Sequence, residues 1–437
     1  MNKRQIESIK ARQILDSRGN PTLEAVVVLN DGSIGRAAVP SGASTGEHEL
    51  AELRDNDPSL YLGKGVTQAV EQVTQTISPA LKGKNISAQQ EIDQILTELV
   101  DDQGRKLGSN AMLGVSLACA KAAAISYRLP LYRYLGGSNA NILPVPMMNI
   151  LNGGAHASNN LDIQELMIIP HKAESFSQAL EQCCRVYHRL KEILKEKGLC
   201  TAVGDEGGFA PNLGSEDEAF GLLMQAIDRA GFMPEEDFVL GIDAAASEWA
   251  NPFSQSPDEF MPDKPYTLPK SNLSYTAEEL IAHWEGLCAK YPIRSIEDPL
   301  GENDWQSFVQ ITHRLGSHIQ IVGDDLFVTN PERIREGIDM KAANAVLIKP
   351  NQIGTLSQTL EAVQIAQRAG WKTILSHRSG ETEDCCIADI AVACGAGQIK
   401  TGAPCRGERT AKYNQLLRIE ESLNSSNSLH IARFGLA

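Results

Sequence analysis

In the second half of the chain, five short apolar segments each finish on an ionisable residue. They are 293–297 (IRSIE), 319–324 (IQIVGD), 344–349 (NAVLIK), 373–377 (TILSH) and 398–400 (QIK), ending at Glu297, Asp324, Lys349, His377 and Lys400. A sixth, 238–243 (FVLGID), ends on Asp243 in the same way. Asp243, Glu297 and Asp324 offer hard oxygen donors of the kind Mg2+ takes, with waters and substrate oxygens completing its shell. No His-x-x-x-His pair or cysteine cluster competes for zinc. Lys349 and Lys400 lie on later segments, and a lysine close to bound cations holds its proton less tightly and can act as a base near neutral pH. Glu206 sits in 202–209 (AVGDEGGF), where flanking glycines let the backbone approach a ligand, and is a candidate acid. An acid and a base on either side of a metal-bound anion suit removal of a proton beside a carboxylate, followed by loss of a leaving group.

Groups so far apart in sequence need a scaffold that gathers segment ends. The ionisable ends recur about every 25 residues, the length of one strand, one helix and two short loops. Helix-patterned stretches such as 356–370 (LSQTLEAVQIAQRAG) fill the intervals. Repeated βα units predict a parallel sheet covered by helices, and closure into a barrel would open all strand C-termini onto one mouth. One charged residue at a strand end is ordinarily a solvated stop. Five in register point to a shared site.

The catalytic unit opens differently. Segments 143–150 (LPVPMMNI) and 162–169 (DIQELMII) are joined by 151–161, too short for a crossover helix, so the two strands are expected to be antiparallel. Glu165 interrupts an apolar run there, and a buried acid must be paired or neutralised. His156 sits beside glycines in the connection. Two amphipathic helices, 176–194 and 216–230, follow before 238–243. The expected fold is thus α/β: a (β/α)8-type barrel with an antiparallel start (ββαα, then βα repeats), preceded by a smaller α+β domain.

That smaller domain begins with strands 6–15, 22–29 and 34–39, which read as an antiparallel meander joined by turn formers. Helical spacing dominates 65–134, and 111–127 is the most apolar helix. It carries Lys121 and reads as buried core, not as a membrane span. The expected boundaries are 1–135 for the α+β domain, 136–141 for a glycine-containing linker and 142–437 for the barrel. Two stretches look like loops with functions: 41–46 (SGASTG), a lid or hydroxyl-bearing ligand arm that is not a Walker loop, and the proline-containing excursion 251–270.

With 437 residues, the chain is long enough for two domains. Its net charge of −15 disfavours nonspecific nucleic-acid binding, and anion binding would need metal ions to change the local sign. Nine cysteines, an odd number without CxxC spacing, fit a reducing compartment. The first 13 residues carry no apolar run of secretory type. A cytoplasmic location is expected, without a membrane or nucleic-acid partner.

Ten motifs occur in order: SGASTGEHE (41–49), LNGGAHASNN (151–160), QELMI (164–168), GDEGGFAP (204–211), IDAAASE (242–248), SIEDP (295–299), GDDLFVTNP (323–331), IKPNQIGT (348–355), SHRSGETED (376–384) and QIKTGAP (398–404). On these the chain closely resembles the enolase (phosphopyruvate hydratase) family over nearly its whole length. The resemblance implies reversible dehydration of 2-phosphoglycerate to phosphoenolpyruvate with two Mg2+ per active site. It implies that Lys349 removes the C2 proton and that Glu206 helps the C3 hydroxyl leave. Asp243, Glu297 and Asp324 would hold the tighter metal, and Ser41 would join the second on loop closure. Arg378 and Ser379 would bind phosphate, Lys400 the carboxylate side, and His156, Gln164, Glu165 and His377 would line the pocket. Closing loops at 41–46, 153–160 and 251–270 would exclude water. A homodimer, or a larger ring of dimers, also follows from the resemblance.

Relatives acting on acid sugars typically carry a Lys-x-Lys pair early in the barrel, where this chain has Gln164-Glu165. A secondary surface-binding role is a further reading. Some family members bind plasminogen through a C-terminal lysine, and 432–437 (ARFGLA) contains none.

Overall fold

The computed structural model describes residues 4–42, 46–250, 266–425 and 430–435. Most of the excursion at 251–270, the centre of the 41–46 loop and the last two residues lie outside them.

Strands β1 (Ile6–Leu15), β2 (Pro21–Leu29) and β3 (Ile34–Ala38) form an antiparallel meander. β2 alternates buried and half-buried residues, with Leu23, Ala25, Val27 and Leu29 turned inward. That face packs on the helix Ser109–Ser126, which is almost wholly buried. The approach is close enough that Gly35 needs to be glycine: a Cβ there would lie 2.1 Å from the Ala118 carbonyl oxygen. Among the described residues no single helix is long and apolar enough to cross a membrane. The alanine-rich run of this helix serves dense packing instead.

Eight strands close into a barrel in sequence order: Val145–Asn152, Glu165–Pro170, Phe238–Asp243, Ile293–Glu297, Gln320–Gly323, Ala345–Ile348, Lys372–Ser376 and Gly397–Lys400. The second strand is antiparallel to both neighbours and the remaining pairs are parallel, as the short connection at 151–161 requires. The two helices after it, Phe176–Glu196 and Glu216–Arg229, begin at Ser175 and Ser215, whose hydroxyls accept N–H groups of the first turn. The lower half of the barrel is filled by Val145, Met147, Met167, Ile169, Val239, Val322, Ala345, Leu347 and Ile374. Within the same interior Gln320 and Gln398 exchange amide hydrogen bonds of 3.0 and 2.9 Å. This solid floor leaves the C-terminal mouth as the place for chemistry.

In the stretch 136–141, read from composition as a linker, 137–139 are exposed and Gly137 has open space around it, whereas Gly136 is closely packed. Gly136 ends the helix Leu131–Gly136, and a Cβ on it would meet the Ala393 carbonyl oxygen at 2.2 Å. Ile142–Leu143 then pairs with His430–Ile431. Several contacts fasten the smaller domain to the barrel domain, among them three on different elements. Lys121 Nζ donates to Asp384 Oδ2 at 2.5 Å, Ser357 N donates to Asp93 Oδ2 at 2.9 Å, and Ser41 and Gly380 exchange backbone hydrogen bonds of 2.8 and 2.9 Å. All nine cysteines are free thiols.

Candidate active site

Glu297 and Lys400 are the last residues of their strands, whereas Asp324, Lys349 and His377 stand one residue beyond, or at the first turn after, theirs. Backbone hydrogen bonds continue past the strand ends and fix these side chains. His377 N donates to the Lys400 carbonyl at 3.0 Å, Ala244 N to Glu297 at 3.0 Å, and Gln164 N to Asp243 at 3.1 Å. Lys349 N donates to the Thr329 hydroxyl at 2.9 Å, and Pro350, which follows, opens the short helix Pro350–Ile353. Proline favours an extended residue before it, and Lys349 is extended, with φ −122°.

Lys400 is buried and reaches across the barrel from the eighth strand. Its ammonium donates to Asp243 Oδ2 on the third strand at 2.7 Å and to Glu297 Oε2 on the fourth at 2.8 Å, with Glu165 Oε1 at 3.3 Å. Burial works against this ammonium, but Asp243, Glu165 and Glu297 outweigh it and hold the proton firmly. Lys349 makes a short ion pair with Asp324. Here too burial alone would favour the free amine, and Asp324 turns the balance toward the ammonium. The depressed proton affinity expected of this lysine is therefore not its state while Asp324 is its only strong partner.

Facing these lysines are Glu165, Glu206 and the imidazole of His156. His156 Nδ1 lies 3.6 Å from Glu165 Oε1 and 3.7 Å from Glu206 Oε1, and His377 Nε2 lies 3.3 Å from Glu206 Oε2. Burial pushes the His377 imidazole down to about 4 and lowers His156 as well, so both rings are neutral at pH 7. Burial and the neighbouring Glu206 raise Glu165. Burial opposes the Glu206 carboxylate too, yet it is held below the usual range; with both imidazoles neutral, a His377 N–H and the Arg409 charge are the causes that remain. Glu165 and Glu206 bring carboxylate oxygens within 4.8 Å of each other and of His156, and their neighbours drive the two apart, Glu165 upward and Glu206 downward.

His156, Gln164, Glu165, Glu206, Asp243, Asp324, Lys349, His377, Arg378, Ser379 and Lys400 all line one cavity of about 40 Å3. That is room for roughly one or two waters. Glu297 accepts from Lys400 and is not among the residues of the cavity wall. Ser41 is elsewhere. Its hydroxyl donates to Glu52 Oε2 at 3.1 Å and accepts from Arg54 at 2.9 Å, in the neighbouring cavity that also holds Arg18 and Lys64. The structure thus gathers eleven of the thirteen expected residues around one space, holds Glu297 against Lys400, and keeps Ser41 in the neighbouring cavity.

Arg378 already has an anion. Its guanidinium donates to both oxygens of Glu49, at 2.9 and 3.2 Å. Glu49 belongs to the 41–49 motif, yet its charge gave no reason to pair it with a residue 329 positions away. Three other partners were not foreseen. Asn149 donates to Glu206 Oε2 at 3.1 Å. Asp298 accepts the N–H groups of Asp324 and Asp325 at 2.9 Å each. Arg409 is fully buried behind His377. Only Asp298 carried a signal, as a second acid next to Glu297.

The donor set fits divalent cations. Glu297 Oε1 and Glu165 Oε2 are buried without any hydrogen-bond partner, and such carboxylate oxygens call for a proton or a metal. Burial and Asp243 raise Glu297, the mark of more negative charge than the lysines offset. Asp298, Asp324 and Asp325 bring oxygens within 4.8 Å of one another, and burial together with Asp324 pushes Asp325 up to about 8. All these donors are hard oxygens, so Mg2+ suits them better than a thiolate-seeking ion.

Comparison with known families gives two matches that together span both halves of this architecture. The model of the enolase N-terminal domain matches residues 6–135, and that of the enolase C-terminal TIM barrel domain matches residues 140–435.

Proposed function

Since the chain belongs to the enolase family through both of its domains, we propose that it catalyses the reversible, Mg2+-dependent interconversion of 2-phosphoglycerate and phosphoenolpyruvate. The observation that carries this reading is the opposition, across one small cavity, of two buried lysines and a close pair of buried glutamates.

The proton on C2 of the substrate is a very weak acid, because its removal adds charge to a group that already carries a carboxylate. Lys349 is the base. Burial favours its free amine, and Asp324 opposes that only while the carboxylate has no other cation. Lys400, the other ammonium in the cavity, is placed to meet the substrate carboxylate. On the facing wall Glu206 assists departure of the C3 hydroxyl. Glu165, held protonated by burial and by Glu206, is the store of the proton that leaves as part of water. His156 and His377, both neutral, keep the glutamates oriented without adding charge. Arg378 is a planar, two-toothed donor suited to a phosphate, and Ser379 adjoins it.

Asp243, Glu297 and Asp324 would hold Mg2+, with Ser41 reaching a second ion after the 41–46 loop moves. Bound there, Mg2+ would supply positive charge where the substrate carboxylate becomes doubly anionic. General acid–base help is worth only about 10²–10⁴-fold, so the surroundings must supply the rest. A homodimer in the cytoplasm completes the reading, to be checked by light scattering and fractionation.

The test is turnover of 2-phosphoglycerate, followed by enol absorbance, with Mg2+ and with chelator. Expected is activity that disappears on chelation and returns with Mg2+. Turnover of an unphosphorylated sugar acid in its place, or activity indifferent to chelator, would sink the proposal.

A further inference from the structure

We infer that Arg409 is the positioning residue of this site: it fixes which nitrogen of His377 carries the proton and locks the Glu206 loop to the His377–Ser379 loop. The role of Glu206 is taken from the proposed reaction; the hydrogen-bond pattern stands without it.

Arg409 lies on the last long helix, Gly407–Asn424, outside the barrel strands, and is fully buried. Its guanidinium makes four hydrogen bonds to neutral acceptors. One terminal nitrogen donates to His377 Nδ1 and to the Arg378 carbonyl, both at 2.6 Å. The other donates to the Ser379 carbonyl at 2.6 Å and to the Asp205 carbonyl at 3.0 Å. The nearest carboxylate, Glu408, stands 3.5 Å from Nε and makes no hydrogen bond to it. A buried cation with neutral acceptors is a costly way to gain stability, and the fixed fork of arginine is the best reason for it. The chain also makes room for it. Gly402, at φ +80°, lies where a Cβ would come within 3.0 Å of the Arg409 side chain and 2.7 Å of the Glu206 carbonyl.

A guanidinium has no lone pair to accept a hydrogen bond. His377 Nδ1 must therefore be the acceptor, and in a neutral ring the proton is then on Nε2. Nε2 is the atom 3.3 Å from Glu206 Oε2. Arg409 thus ensures that the imidazole presents an N–H, not a lone pair, to that carboxylate. The opposite tautomer would set two lone pairs against each other in a dry site. The same guanidinium grips the peptide just before Glu206 and the carbonyls of Arg378 and Ser379. It sets the spacing between the group expected to handle the hydroxyl and the groups expected to handle the phosphate.

Neutron diffraction on D2O-exchanged crystals of the wild-type protein tests the tautomer without any substitution. A deuteron on His377 Nε2 and none on Nδ1 is expected. A deuteron on Nδ1 overturns the inference. Kinetics test the positioning: Arg409→Lys keeps the charge but cannot span both loops. A displacement of about 1 Å can cost about 10²-fold, so kcat should fall about 10- to 100-fold while KM changes less than about threefold. In a His377→Gln background the same replacement should cost markedly less, because the two residues act through one contact. Equal losses in both backgrounds, or an unchanged kcat, would refute the inference. Wild-type protein that shows the Nε2 deuteron but does not turn over 2-phosphoglycerate would refute the proposed reaction and leave the tautomer assignment standing.

Discussion

Replacing Lys121 by methionine should lower stability by an amount that grows with pH. Lys121 comes from the long helix of the smaller domain and meets Asp384 of the barrel domain with two contacts, of 2.7 and 2.5 Å. Asp384 also accepts N–H groups from Ala38 at 3.0 Å and Cys386 at 2.9 Å. Burial raises its carboxyl, but Lys121 outweighs burial and holds it below the usual 3.8. A depressed carboxyl contributes stability above its unfolded pKa and loses it as pH falls through the folded one. Methionine fills the space of the lysine stem but leaves burial unopposed, so the folded carboxyl moves above 3.8. The sign then reverses, and the carboxyl costs stability increasingly as pH rises. The penalty cannot exceed the cost of keeping the group protonated, about 1.4 kcal/mol per pH unit above 3.8. That bound is about 4 kcal/mol at pH 7 and about 1.6 kcal/mol at pH 5. A cooperative unit of 437 residues has an unfolding entropy of about 0.9 kcal/mol per kelvin. The variant should therefore lose the wild-type contribution of the pair throughout pH 4–7 and, beyond that, melt lower by an amount that grows with pH, up to about 2 °C at pH 5 and about 4–5 °C at pH 7. Calorimetry across this range is the assay. A deficit that is absent, or equal at pH 5 and pH 7, would refute the reasoning.

Four further outcomes are expected. Burial pushes Asp389 up to about 6, so Asp389→Asn removes a penalty that builds between about pH 4 and pH 6 and is complete above it; it should raise the melting temperature by up to about 3 °C at pH 7.5 and leave it unchanged near pH 4. Gly35→Ala forces a Cβ to 2.1 Å from the Ala118 carbonyl and should cost at least about 1–3 kcal/mol in chemical denaturation, against almost no steric effect at Gly221, where the space is open. Lys349→Ala should lower kcat by at least about 10²–10⁴-fold while circular dichroism shows the fold intact. Lys270 Nζ donates to the Gly154 and Ala157 carbonyls at 2.8 and 2.9 Å, so Lys270→Met should speed hydrogen exchange in 153–160 and raise KM more than it lowers kcat.

What the sequence made legible follows physical range. Strand ends could be read because apolar runs break at charged residues, and the antiparallel start followed from a connection too short for a helix. Asp243, Asp324, Lys349, His377 and Lys400 share the cavity wall because each is fixed at or just past its own strand end, whereas His156 and Glu206 reach it from loops. The pairings are another matter. Lys400 crosses the barrel to Asp243 and Glu297, Arg378 takes Glu49 from the other domain, and Arg409 enters from an outer helix. Such contacts depend on side-chain reach across closed space, which leaves no periodic trace. Ser41 shows the same limit: its motif marks it as functional, yet its hydroxyl is turned to Glu52 and Arg54. At 136–141 the two glycines differ: Gly137 stands in open space, while Gly136 serves close packing against Ala393, a contact composition does not announce.

The charge pattern explains how so acidic a chain could bind a multiply charged anion. Every cation on the cavity wall already has a carboxylate: Lys349 has Asp324, Lys400 has Asp243 and Glu297, and Arg378 has Glu49. An anion arriving alone would have to break these pairs and leave buried carboxylates unpaired, at several kcal/mol each. Divalent cations arriving alone would have to displace buried ammonium groups. Arriving together they would, on the proposed reading, exchange partners, the carboxylates passing to metal while the lysines and the arginine turn to the substrate, and no charge would be left unpaired. On the proposed reading, anion and metal must then bind with positive coupling. Calorimetric titration should find 2-phosphoglycerate weak in chelator and at least about 10-fold tighter in Mg2+, with the same factor for Mg2+ when substrate is present. Independent binding of the two would contradict the exchange, because the paired groups seen here allow neither to enter freely without the other.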